Sequence, residues 1–241
     1  MGKKRKKNYQ LFQGDAVEWL RSLTSESVDL IITDPPYESL EKHRKVGTTT
    51  RLKNSKASSN DWFKIFPNKR FKSLFRECFR VLKNHRHLYL FCDNETMFYV
   101  KPRAVKAGFD FRNKVVWDKV LLGMGYSWRY QTENILFFSK GKRKLTDLSL
   151  PNIIREKMIK NGYPTEKPVP VNEILILQSS EQGELVIDPF MGSGSVGLAA
   201  LKNFRHFKGC DLCSEAIEVT KERLEQHRKE VFLFWSGPKK S

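Results

Sequence analysis

The chain contains no apolar run that reaches the roughly 20 residues a membrane-crossing helix requires. Its basic start, Met1-Gly2-Lys3-Lys4-Arg5-Lys6-Lys7, is not followed by the apolar stretch of a secretory signal. Cysteine is scarce, with four residues: Cys78, Cys92, Cys210 and Cys213. That argues against a disulfide framework and fits a reducing cytoplasm. Cys210 and Cys213 have zinc-ligand spacing, but no second C-x-x-C or H-x-x-x-H completes a closed site, so no metal is expected. Acidic residues are also few. The 27 Asp+Glu face 44 Lys+Arg, a formal net charge of +17. Such an excess fits either a polyanionic partner or a solvated basic surface. Internal repeats are absent. With 241 residues, 39% of them hydrophobic, the chain can bury one sizeable core, so a single domain over residues 1–241 is expected.

What is present reads as alternating strands and helices. Apolar, β-branched runs bounded by turn residues predict strands at Tyr9–Gln13, Val28–Thr33, His87–Cys92, Lys114–Trp117, Asn134–Phe138, Leu185–Ile187 and His206–Cys210. Helical spacing predicts helices at Phe71–Leu82, Val171–Leu177, Val196–Leu201 and Glu215–Gln226. The alternation implies an α/β fold with a largely parallel sheet covered on both faces. Two stretches interrupt it. Between Glu41 and Asp61 there is no acid, while Lys42, Arg44, Lys45, Arg51, Lys53 and Lys56 interleave with Ser and Thr. This segment, 41–60, reads as a DNA-facing loop or as plain disorder. The second, Lys140–Lys160, is basic and weakly patterned.

Two motifs carry chemistry. Leu185-Val186-Ile187-Asp188-Pro189-Phe190-Met191-Gly192-Ser193-Gly194-Ser195-Val196-Gly197 reads as a strand, a tight turn and a helix start. Asp211 ends the next strand, where a carboxylate can accept both hydroxyls of a ribose. A nicotinamide dinucleotide fits this G-x-G-x-x-G pattern. Asp188 beside the turn, however, suits a ligand with an ammonium and a sulfonium, as in S-adenosylmethionine. The second motif is Asp34-Pro35-Pro36-Tyr37 after the strand Val28–Thr33. The prolines remove two N–H donors and free nearby carbonyls as acceptors. Asp34 adds a carboxylate and Tyr37 an aromatic face, which together can grip the amine of a flat ring. A rigid loop after a strand is the competing reading.

Together these motifs resemble the amino-group DNA methyltransferases. The tetrad comes early and the glycine turn late, an order similar to the circularly permuted β class. Tyr163-Pro164-Thr165-Glu166-Lys167-Pro168 resembles that family's His-Pro-Thr-Glu-Lys-Pro segment, with Tyr163 in place of His. Gly14-Asp15, Trp117-Asp118-Lys119, Gly123-Met124-Gly125-Tyr126 and Glu133-Asn134-Ile135-Leu136-Phe137 also resemble its motifs.

The resemblance implies a seven-stranded Rossmann-like sheet with one reversed strand. It implies methyl transfer from S-adenosylmethionine to the N6 amine of adenine in double-stranded DNA. The catalytic group would be Asp34, Pro35, Pro36 and Tyr37. The cofactor would meet Asp188, Pro189, Phe190, Gly192, Ser193 and Gly194, with Asp211 on the ribose and Thr165 and Lys167 at the methionine end. Asp15 would lie on the adenine side. Cytosine-N4 methylation is the nearest alternative, and Asp34 at the head of the tetrad favours adenine. The alternative of another class, a dinucleotide oxidoreductase, leaves Asp34–Tyr37 unexplained. No Pro-Cys pair of the ring-carbon methylating kind is present. The segment 140–163 is short for a target-recognition region, which shifts recognition toward the 41–60 loop, Lys140–Lys160 or a second subunit. A homodimer is expected on the same resemblance.

Overall fold

The structure, a computed structural model, describes residues 7–39, 64–123, 128–159, 163 and 165–236, with side chains to residue 231. Eight strands form one sheet: β1 (Tyr9–Gln13), β2 (Val28–Thr33), β3 (Leu82–Cys92), β4 (Asp110–Asp118), β5 (Thr132–Lys140), β6 (Ile153–Arg155), β7 (Leu185–Asp188) and β8 (His206–Asp211). Their spatial order is β1-β8-β7-β2-β3-β5-β4-β6. Every pairing is parallel except those of β5, which runs against both β3 and β4. The mostly parallel sheet with one reversed strand is therefore as expected. The strand beyond the expected seven is β6, three residues at the sheet edge beside β4. It is too short to show alternation, so no pattern announces it.

Among the described residues six α-helices accompany the sheet: α1 (Ala16–Ser22), α2 (Phe71–Val81), α3 (Asn94–Lys106), α4 (Val169–Ser179), α5 (Ser195–Lys202) and α6 (Ser214–Ser236). The central strand β2 is buried at all six residues and sorts its side chains by alternation. Ile31 joins a core with Leu20 of α1, Leu74 and Phe75 of α2 and Val100 of α3. Leu30 and Ile32 join a second core with Leu175 and Ile176 of α4, Ala199 and Ala200 of α5 and Leu224 of α6. Helices thus cover both faces.

Two helices lay outside the predicted set. In α1 the signal was a cap: Asp15 accepts the N–H groups of Val17 and Glu18 at 3.0 and 3.2 Å. In α3, Pro102 lies inside the helix and blurs its pattern, while Asp93 caps the start by accepting from Thr96 N–H at 2.7 Å.

The basic stretch Lys140–Lys160 is only partly a free surface. Lys140 is buried, and its ammonium donates to the carbonyls of Phe79 and Leu82 at 3.0 and 2.8 Å. Asp147 is held against α4, its N–H and carbonyl engaging the Gln178 amide at 3.0 Å each.

Candidate active site

One cavity of about 1650 Å³ opens at the carboxyl ends of the parallel strands. It is lined by Asp15, Asp34, Pro35, Pro36, Tyr37, Tyr163, Thr165, Lys167 and Asp188 through Ser193, and by Asp211. Ligand sites gather at this edge of open α/β sheets. The parallel neighbours β2 and β7 deliver Asp34 and Asp188 side by side, with Ile31 opposite Ile187 in register. The Thr33 hydroxyl, one residue before Asp34, donates to Asp188 Oδ1 at 2.9 Å.

On the glycine-turn side the backbone supplies most of the donors. Asp188 Oδ1 also accepts from Phe190 N–H at 2.9 Å. Burial, aided by the nearby charges of Asp34 and Asp211, pushes the Asp188 carboxyl up to about 7 against these hydrogen bonds. Asp211 accepts from Gly192 N–H and Cys213 N–H, each at 2.9 Å, one on each oxygen. Burial raises its carboxyl too. Gly192 adopts φ +47°, and the Thr220 hydroxyl donates to its carbonyl at 2.9 Å. A side chain there would start at a left-handed backbone and face Tyr163, a fellow lining residue. The Glu166 carboxylate locks the segment before α4. It accepts from Tyr163 N–H at 3.1 Å and pairs with Arg223 of α6 at 2.7 Å.

On the tetrad side the groups are charged side chains. Lys167 donates to Asp34 Oδ2 at 2.5 Å, and its ammonium lies 2.9 Å from Glu133 Oε1. Glu133 Oε2 pairs with Lys119 at 3.1 Å. Burial pushes the Asp34 carboxyl up to about 6, with the Glu133 charge adding to it and Lys167 opposing. Burial also works on Glu133, but Lys167 and Lys119 outweigh it and hold that carboxyl below its usual range. Lys167 loses solvation, yet its two carboxylates keep it more firmly protonated than an ordinary lysine. Tyr37 is buried beside Phe66, and burial keeps its hydroxyl protonated.

Four of the expected groups have partners within the chain. Lys167, expected at the methionine end, lines the cavity with its ammonium committed to the carboxylates of Asp34 and Glu133. Gly194 does not line the cavity. At φ +74° it packs on α6, where an added Cβ would lie 2.5 Å from Thr220 Cγ2. Its role is close packing. Asp15 lines the cavity but is not an open acceptor. Beyond its α1 cap, both oxygens bind the Arg70 guanidinium at 2.6 Å, which holds its carboxyl below the usual range. The Pro36 carbonyl is likewise taken, by Phe66 N–H at 2.7 Å. The Pro35 carbonyl accepts no hydrogen bond among the described residues. Lys42, Arg44, Lys45, Arg51, Lys53 and Lys56 lie outside the described residues.

Residue-by-residue reading assigned no role to Glu133, Lys119, Phe66 or Arg70. Glu133 opens the reversed strand β5, opposite Trp117 of β4. Because β5 runs backwards, its start lies at the edge where the other strands end. A carboxylate heading the apolar run Asn134–Phe138 was the available signal. Phe66 stacks edge-on against Phe190, ring centroids 5.0 Å apart, and Arg70 lies 5.1 Å from the Phe66 ring. These residues bind the chain after the tetrad to the glycine turn.

The sequence model of the DNA methylase family, the N6/N4 group, matches residues 28–157 and 148–222. The type II methyltransferase M.HpaI of Haemophilus parainfluenzae is 28% identical over 247 residues, spanning 90% of this chain and 74% of its own. The DNA adenine methyltransferase YhdJ of Escherichia coli strain K12 is 28% identical over 255 residues, spanning 89% and 82%. The solved M1.HpyAVI–SAM complex matches the fold with a TM-score of 0.67 at 22% identity, over 90% of this chain and 99% of that one. The tetrad and the glycine turn, far apart in sequence, meet in one cleft within the segment that the family model spans, and the chain belongs to the DNA methylase family.

Proposed function

We infer that this protein methylates the N6 amine of adenine in duplex DNA, with S-adenosylmethionine as methyl donor. The observation that carries this reading is the meeting of Asp34–Tyr37 with Asp188–Ser193 in one cavity of about 1650 Å³, large enough for a nucleoside cofactor beside a flipped base. The residues suit the cofactor's chemistry. Asp188, buried and facing the cavity, answers its cationic groups, and Asp211 answers its ribose. Pro189, Phe190, Gly192, Ser193 and Thr165 complete the wall. S-adenosylmethionine supplies an electrophilic methyl on a sulfonium.

The chain's own groups prepare the nucleophile. An exocyclic amine is weak because its lone pair is delocalised into the ring. The Asp34 carboxylate and the Pro35 carbonyl accept its hydrogens, draw the nitrogen toward a tetrahedral shape and restore the lone pair. Tyr37 offers its ring to the base, and the buried cleft excludes water. In transfer the nitrogen would gain the methyl as the methyl–sulfur bond breaks, its electron pair staying on sulfur, and the amine would shed one proton, which Asp34 can accept. Asp34 heading the tetrad favours adenine over cytosine, and the relative YhdJ is named a DNA adenine methyltransferase. Duplex DNA incubated with enzyme and tritiated S-adenosylmethionine, then digested to nucleosides, should carry label in N6-methyladenine. Label in N4-methylcytosine would move the target base, and unlabelled DNA would remove the function.

Duplex binding rests on the +17 charge. Lys42, Arg44, Lys45, Arg51, Lys53 and Lys56 of the 41–60 loop meet the phosphates. Neutralising them should flatten the salt dependence of binding by about 0.9 in slope per lost phosphate contact. An unchanged slope excludes the loop from the interface. Target reading falls to that loop and to 140–163, whose Met158, Ile159 and Tyr163 line the cavity. The dimer expected from the family resemblance is checked by light scattering with and without DNA. DNA as substrate fits work in the cytoplasm. Among the described residues no helix is long and apolar enough to cross a membrane.

A further inference from the structure

The charged groups behind the tetrad form a chain with a direction. Lys119 meets Glu133 Oε2 at 3.1 Å, Glu133 Oε1 stands 2.9 Å from Lys167, and Lys167 donates to Asp34 Oδ2 at 2.5 Å. Lys167 and Glu133 are almost wholly enclosed, with side-chain exposures of 10% and 14%. Glu133 Oε1 is sealed from solvent and accepts no hydrogen bond among the described residues, so it meets Lys167 as an ion pair. Two enclosed charges, flanked by two that are only partly exposed, are costly unless their geometry serves a purpose. Two lysines and two carboxylates also cancel, so the cluster fixes direction without adding net charge.

We propose that Glu133 is a positioning residue for methyl transfer: it anchors the Lys167 ammonium, which holds Asp34 by Oδ2 and leaves Oδ1 to face the target amine. The proposal rests on the methyltransferase reading and adds a residue to it. Among the described residues nothing donates to Asp34 Oδ1. With Glu133 present, the ammonium is shared between two carboxylates. Without it, Lys167 pairs with Asp34 alone, weakens it as an acceptor and is free to turn it. The groups that face Asp34 are Lys167 from the segment before α4, Glu133 from β5, Lys119 after β4, Asp188 at the end of β7 and Tyr37 from the tetrad.

The two neighbours act on Asp34 with opposite sign. Glu133 disfavours the ionised carboxylate and Lys167 favours it. The test is the pH profile of single-turnover methyl transfer into duplex DNA, for wild type, Glu133→Gln, Lys167→Met and the double variant. Glu133→Gln should lower the plateau rate about tenfold or more and move the acidic limb to lower pH. Lys167→Met should move that limb up by about one pH unit or more. On the Lys167→Met background Glu133→Gln should cost no further plateau rate, since its positioning effect passes through the lysine, while its direct charge effect on the limb remains. Unchanged cofactor titration and a single cooperative melt, even at a lowered temperature, report an intact fold in Glu133→Gln. Lys167→Arg keeps the charge, should keep the limb near its wild-type position and serves if the neutral variant does not fold. Limbs that stay fixed or move together, or an equal loss from Glu133→Gln on both backgrounds, overturn the proposal while wild type still transfers methyl. A wild type that methylates no DNA overturns the underlying reading and the proposal with it.

Discussion

On the side of the cavity proposed for the cofactor, Asp188 and Asp211 are held by the N–H groups of Phe190, Gly192 and Cys213. On the side proposed for the base, Asp34 is held by the ammonium of Lys167, 133 residues away in sequence. The first arrangement is set mainly by the backbone of the turn and of the end of β8, with one hydroxyl added by Thr33 of β2, and involves few formal charges. The second depends on the whole sheet, because Lys167, Glu133 and Asp34 come from three separate segments. Backbone donors do not titrate, so the cofactor side owes its pH response to its carboxylates alone. The base side is an ion cluster in which each charge sets the protonation of its neighbours.

This difference predicts how each side breaks. The largest effect should come from Gly192→Val. A β-branched residue at φ +47° costs about 1–2 kcal/mol in strain, and its methyl groups occupy the cavity beside Tyr163. Calorimetric titration should then find no cofactor binding, while the base side keeps its affinity for DNA. Normal cofactor binding in that variant would place the ligand elsewhere.

Asp211→Ala should weaken cofactor binding by roughly 1.5–3 kcal/mol, the range for hydrogen bonds to a charged acceptor. Losses confined to the ribose would disappear with an analogue lacking both hydroxyls, so the analogue and the parent should bind this variant equally. A variant that still prefers the parent would take Asp211 off the ribose.

Asp188 sharpens the comparison through pH. Its carboxyl lies near 7 through burial, well above an ordinary aspartate. A cationic ligand binds the ionised form, so affinity is full above that pH and is lost as pH falls through it. Between about pH 7 and about pH 5.5 the loss should approach tenfold per unit, and Asp188→Asn should abolish the slope together with much of the affinity. A flat profile would mean that Asp188 does not meet the cofactor's positive groups.

The same contrast explains what could be read in the sequence. Strand β2 announces itself as a buried run, and its boundaries Val28–Thr33 are those expected. The glycine turn is local, and the spacing that singles out Asp188, Gly192 and Asp211 picks three residues that line the cavity. Gly194 was misread because its need for glycine comes from Thr220 on α6, a tertiary contact that spacing does not reveal. The pairing of Lys167 with Asp34 and Glu133 is hidden from spacing for a similar reason. Its partners lie on β5 and after β2, and only the sheet order brings them together. Glu133 was quoted within a motif without a role, because the reversal of β5 that carries it into the cleft is a property of topology. The edge strand β6 and helix α3 stayed hidden, the first through brevity and the second through Pro102.

The division of labour between the two sides is tested most directly by measuring cofactor binding and methyl transfer on one preparation of Asp34→Ala. The substitution removes the acceptor for the amine and leaves Asp188, Gly192 and Asp211 in place. S-adenosylmethionine should bind within a few-fold of wild type, roughly 1 kcal/mol, while incorporation into adenine falls to background. Near-normal transfer from Asp34→Ala would contradict the account, because the tetrad would then be a structural loop and not the grip on the base.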